Sequence, residues 1–198
     1  DWSSDVCSSD LVIALLARKA NVTAKDTEQG QTALMWGVAQ KHPDVTQALI
    51  QGGADIRARS NGGFTPLLFA TRVGDVESAR LLLAAGANVN ETAPNGMTPL
   101  VLASASGQED VAVFLLDKGA DPNARDNLGA TALHYAMIKG ITAVNEVRFA
   151  NYVEHLFRPS MTGLVKALLA HKANPNIRIE KPVPLGGSRS QKAVGATP

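Results

Sequence analysis

Four threonines, Thr32, Thr65, Thr98 and Thr131, stand 33 residues apart, and a glycine precedes each by two positions: Gly30, Gly63, Gly96 and Gly129. A fixed interval of that length marks a stacked repeat, in which each unit buries its apolar face only against its neighbours. A second register keeps the same interval. Gly53-Ala54-Asp55, Gly86-Ala87-Asn88 and Gly119-Ala120-Asp121 recur every 33 residues, and Leu49-Ile50, Leu82-Leu83 and Leu115-Leu116 precede them at a constant distance. Composition narrows the unit further: 45% of the 198 residues are hydrophobic but only 5% aromatic. Abundant Ala, Leu and Gly fit small, closely stacked helices, whereas a β-sandwich calls for Val, Ile, Tyr and Thr in alternation.

Gly63-Phe64-Thr65-Pro66-Leu67, Gly96-Met97-Thr98-Pro99-Leu100 and Thr131-Ala132-Leu133-His134 resemble the ankyrin repeat, and the resemblance extends over residues 12–178. It implies an all-α fold, an ankyrin-repeat solenoid of stacked helix-turn-helix units with hairpin loops. Each recurring residue then has a physical task. Thr caps the first helix through its hydroxyl, and Pro66 and Pro99 occupy the first helical position, where a missing N–H costs nothing. Ala70, Ala103 and Ala136, with Gly37 in the same slot, keep that helix thin. Gly74, Gly107 and Gly140 end it where a left-handed backbone is needed. In the second helix Val111, Leu115 and Leu116 form one apolar stripe. Trp36, Phe69, Leu102 and Tyr135, four residues after each Thr, are expected to pack between repeats.

Read in this register, residues 12–26 are the second half of a partial repeat, and whole repeats follow at 27–59, 60–92 and 93–125. The next unit, 126–178, is interrupted. Leu168-Leu169 arrive about twenty residues late, which places an insertion at 141–160. Residues 179–194, rich in Pro, Gly and Ser, read as a flexible loop, and 195–198 as the opening of a further repeat. Residues 1–11, DWSSDVCSSDL, break abruptly in composition from the apolar stretch that begins at Val12, and resemble an in-frame translation of a sequencing-library adapter. They are expected to be foreign, and the chain to be a fragment of a longer protein.

Charge and cysteine usage exclude several classes. With 19 Lys+Arg against 18 Asp+Glu the net charge is +1; without Asp1, Asp5 and Asp10 it is +4. Neither value gives the basic stripe that nucleic-acid binding needs. No apolar run reaches the roughly 18 residues of a membrane span. Cys7, the single cysteine, lies in the adapter-like segment, so disulfides, thiolate metal sites and a cysteine nucleophile are not expected. His42, His134, His155 and His171 are scattered without metal-ligand spacing, and no hydrolase, metalloprotease or phosphate-loop motif occurs. Gly52-Gly53 and Gly62-Gly63 are turn glycines. The resemblance assigns His134 to bracing its hairpin through Thr and backbone hydrogen bonds.

The expected function is therefore a non-catalytic protein-protein interaction scaffold, without cofactor or metal and monomeric, that binds through hairpin tips and a concave face. The alternative is a targeting or regulatory segment of a larger enzyme or transporter. Phe64 and Met97, just before their Thr, either anchor an apolar partner or pack on each other and on adjacent loops. Arg59, Arg72 and Arg125, with Arg57, either rim that face with positive charge or belong to an ordinary solvated surface. The insertion concentrates Phe149, Tyr152 and Phe157 with Arg148, His155 and Arg158. Two readings of it stay open: a partner-binding graft using Tyr152 and Phe157, or an extra helix packed on the array.

Overall fold

The computed structural model describes residues 4–139 and 161–181, with side chains from Ser9 onward. The chain divides into two compact units, Asp1–Asn88 and Val89–Pro198. The insertion, with Tyr152 and Phe157, lies outside the described residues, as do Gly140 and residues 182–198.

The first unit holds α1 (Ser4–Ala17), α2 (Ala33–Ala39), α3 (Pro43–Gln51), α4 (Pro66–Val73) and α5 (Val76–Ala84). Thr32 and Thr65 begin α2 and α4 as the period predicts: their hydroxyls accept the N–H groups of Met35 and Leu68. Gly74 ends α4 in the left-handed region, at φ 78°. The matching turn after α2 uses Lys41, at φ 59°, in place of glycine. α2 packs on α3 and on α4, α4 on α5, and the second helices α1, α3 and α5 form their own row. Leu34, Met35, Val38, Leu67, Leu68 and Leu82 are fully buried between these rows. Thr46 and Ser78, also fully buried, join α3 to α5: the Ser78 hydroxyl donates to that of Thr46 at 3.2 Å, and the Thr46 hydroxyl donates in turn to the His42 carbonyl at 2.9 Å.

In the second unit α6 (Pro99–Ser106) packs on α7 (Glu109–Asp117), a helical stretch α8 covers residues 132–139, and α9 (Thr162–Ala170) packs on α7. Leu115 and Leu116 on α7 and Leu164 and Leu168 on α9 form its core, each 2% exposed or less. Asparagines tie the turns together. Asn90 accepts from the Asp121 N–H, and Asn123 accepts from the Asn174 N–H while donating to the Lys172 carbonyl.

Hairpins stack within each unit at a distance that admits no side chain. Gly96 has φ +79°, and a Cβ there would lie 2.5 Å from the Asn127 amide oxygen and 2.9 Å from its backbone nitrogen. Gly30 stands in the same relation to Asn61. Gly96→Ala is therefore expected to destabilise the second unit by at least the roughly 1–2 kcal/mol of left-handed strain, because backbone cannot yield as a flexible side chain can. A urea titration followed by circular dichroism measures it, and an unchanged midpoint would contradict the geometry.

Two expectations need revision. Trp36 does not pack between repeats as Phe69, Leu102 and Tyr135 do: it is 50% exposed, against 4%, 7% and 9% for the others. The one described helix before α2 is α1, which packs on α3, so no first helix of a preceding repeat covers the indole. Residues 179–181, assigned to a flexible loop, are docked. Ile179 is buried, and the N–H groups of Glu180 and Lys181 donate to the Leu128 carbonyl.

Candidate functional site

In the first unit two hairpins present a groove. Asp26 builds the first: one carboxylate oxygen accepts the N–H groups of Glu28, Gln29 and Gly30, and the other accepts that of Gln31. The Gln29 bond above all, joined by those of Trp36, Gln31 and Gly30, holds the Asp26 carboxyl below its ordinary value of 3.8, against the opposing pull of desolvation. Gathering four consecutive N–H groups on one side chain fixes the tip, so Glu28, Gln29 and Gln31 project from a rigid loop. The second hairpin closes through the Ser60 N–H on the Phe64 carbonyl, 3.0 Å, and through the Arg59 guanidinium on the Gly63 carbonyl, 2.7 Å. Asn61 joins the two, its backbone N–H donating to Gln29 and its amide to Glu28.

Between these tips lies a groove of about 370 Å³, lined by Glu28, Gln29 and Gln31 of the first hairpin, by Ser60, Asn61 and Gly62 of the second, and by Phe64, Phe69 and Arg72. The rings of Phe64 and Phe69 meet at 5.9 Å with an interplanar angle of 57°. The Arg72 guanidinium carbon sits 5.4 Å from one ring centroid and 4.9 Å from the other. Stacking on two rings orients a planar cation whose donors lie along its edge. Nearby in sequence, the Trp36 indole N–H donates to Asp26 at 3.3 Å, which fixes a half-exposed aromatic on α2.

The residues singled out from the sequence divide among these places. Phe64, half-buried, and Arg72 line the groove, and Arg59 braces the hairpin beside it. Met97 and Arg125 belong to the second unit. The Met97 carbonyl accepts from the Ala93 N–H in the hairpin, and Arg125, expected to rim a binding face, pairs with Glu180 at 2.9 Å. Tyr152 and Phe157 lie outside the described residues. Sequence reasoning missed Glu28, Gln29 and Gln31 as lining and treated Phe69 only as packing. The available signal was the aromatic at Phe69 in the same repeat as Phe64.

His134 sits 3% exposed beside Thr131. Its Nδ1 accepts the Thr131 N–H at 3.2 Å, so this nitrogen carries no proton and the Thr131 hydroxyl, 2.9 Å away, donates to it as well. Among the described residues no three His, Cys, Asp or Glu side chains converge as a metal site, and no helix is long and apolar enough to cross a membrane.

Paired antiparallel helices joined through stacked hairpins and repeated at a 33-residue interval define an all-α repeat protein. The family model for ankyrin repeats (3 copies) matches residues 4–93, 46–126 and 85–152, and the chain belongs to the ankyrin-repeat family. Ankyrin repeats are in general protein–protein interaction modules and typically non-catalytic.

Proposed function

We propose that this chain is a non-catalytic scaffold that holds a protein partner at the groove between its first two hairpins, with Phe64 and Arg72 as the principal contacts. The observation that carries this reading is the Arg72 guanidinium stacked on Phe64 and Phe69 inside a groove of about 370 Å³. An oriented arginine beside aromatic rings is the composition of an energetic hot spot. Hydrogen-bonded hairpin tips lower the ordering cost of docking. Met97 and Arg125 in the second unit, and Tyr152 and Phe157 in the insertion, serve as further contacts.

Quantitative capture from a lysate tests this, with the parent chain and a Phe64→Ala/Arg72→Ala bait compared at matched concentration. The expected result is a partner whose affinity falls on the order of tenfold or more with the double substitution, while the melting curve of the bait is unchanged. Equal retention by the two folded baits overturns the assignment of the face.

A further inference from the structure

We propose that Asn61-Gly62 is a site of spontaneous modification, where the Asn61 amide leaves as ammonia and the second hairpin gains an aspartyl or isoaspartyl residue. This holds whether or not the groove takes a partner. Asn-Gly occurs twice in the chain, as Asn61-Gly62 and Asn95-Gly96. The reaction needs the backbone nitrogen of the second residue to reach the asparagine Cγ, an approach that glycine leaves unobstructed. The structure separates the two copies. Asn61 and Gly62 are the central residues of a turn closed by the Gly63 N–H on the Ser60 carbonyl at 2.8 Å, so the Gly62 nitrogen takes no part in closing it. No described acceptor holds the Gly62 N–H, and Gly62 is exposed, which leaves its proton to water. In the other hairpin the pair stands one place later. There the Gly96 N–H itself closes the turn on the Ala93 carbonyl at 2.9 Å, and the Asn95 amide oxygen accepts the Met97 N–H at 3.2 Å. Nucleophile and electrophile are both engaged.

The step balances with water alone. The Gly62 nitrogen gives up its proton and bonds to the Asn61 Cγ, the Cγ–Nδ2 bond breaks, and ammonia departs with that proton. One water then adds across either carbonyl of the cyclic imide, leaving aspartate or the isomer whose main chain runs through Cβ and Cγ. The group lost is the one that ties the hairpins, since Nδ2 donates to the Glu28 carbonyl at 3.2 Å. A carboxylate in its place faces that carbonyl with no proton to offer, and puts a second negative charge in a groove that already holds Glu28. The isoaspartyl form also lengthens the turn by one main-chain carbon. Age therefore loosens the hairpin that carries Phe64.

The test incubates the whole chain in warm, mildly alkaline buffer, folded and in urea, and follows both sites by peptide mass mapping with enzymatic methylation of isoaspartyl groups. In the folded chain position 61 is expected to convert several-fold faster than position 95, whereas in urea the two rates converge. Gly62→Ala is expected to slow conversion at 61 several-fold while leaving the fold intact, because a Cβ at Gly62 meets only Ser60 and Phe64 side-chain atoms, at 3.8 and 3.9 Å. If that variant does not fold, Asn61 against Asn95 in the same digest decides. Equal folded rates at the two positions, faster conversion at 95, or no folded conversion at 61 while urea permits it, each overturns the site. Asn61→Asp is expected to unfold at a lower urea midpoint than the parent, and an unchanged midpoint overturns the loosening.

Discussion

Leu115→Ala is expected to destabilise the second unit by about 2–5 kcal/mol, the range for emptying a fully buried leucine site. Leu115 is 0% exposed and lies on α7, the helix that packs on both α6 and α9. The stability of a repeat array is close to a sum of each unit's own stability and its nearest-neighbour interfaces. A cavity on the helix shared by two interfaces therefore weakens both. Urea unfolding followed by circular dichroism should show an earlier transition, and hydrogen exchange should show protection lost along α6, α7 and α9 together. Leu169→Ala is the control. Its side chain, next to the buried Leu168 on α9, is 48% exposed, and the expected change is within about 0.5 kcal/mol. Equal effects at the two positions would mean that α7 and α9 do not pack in solution as they do in the structure.

The interval of 33 residues made the helices, their Thr caps and their buried leucines legible, because those features are what every unit shares. The structure adds what differs between units. Asp26 and Asp126 sit at hairpin bases, and each accepts a hydrogen bond from the aromatic four residues after its Thr, Trp36 in one case and Tyr135 in the other. The hairpins that carry Ser60 and Ala93 instead have Phe69 and Leu102 at that helix position, neither of which can donate. Averaging the repeats into one pattern hides such a pairing. The groove was hidden for a related reason. Glu28 and Gln29 keep the shared register, their carbonyls taking the Asn61 amide and backbone N–H as those of Pro94 and Asn95 take Asn127's, but their side chains differ from the residues at the matching positions and so drop out of the common pattern. Phe64 and Arg72 were legible as candidates, but the stacking of one guanidinium on two rings depends on side-chain placement that spacing does not encode.

The carboxylate–aromatic pair in the second unit yields the other large effect. Asp126 is 7% exposed and accepts three hydrogen bonds: the Leu128 and Ala130 N–H groups on one oxygen, and the Tyr135 hydroxyl at 2.7 Å on the other. Asp126→Ala leaves those donors without their acceptor in a site with little water. An orphaned buried donor costs about 1–3 kcal/mol, and the loss here should reach at least that range. Tyr135→Phe removes one donor only and should cost about 1 kcal/mol. The two losses should not add, since both delete the same bond. Alkaline pH separates this bond from packing. Burial, with the Asp126 hydrogen bond and charge behind it, pushes the Tyr135 hydroxyl well above its ordinary value of 10.0. The unfolded chain then releases that proton while the folded chain holds it, so the contribution is intact below about pH 10 and declines as the pH rises beyond it. The difference in unfolding midpoint between about pH 8 and about pH 11 should accordingly be smaller in Tyr135→Phe than in the parent. Asp126→Ala should reduce it in part, because desolvation of Tyr135 persists without the carboxylate. An identical alkaline dependence in parent and Tyr135→Phe would show that the hydroxyl titrates as freely folded as unfolded, and the latch between hairpin and helix would have to be abandoned.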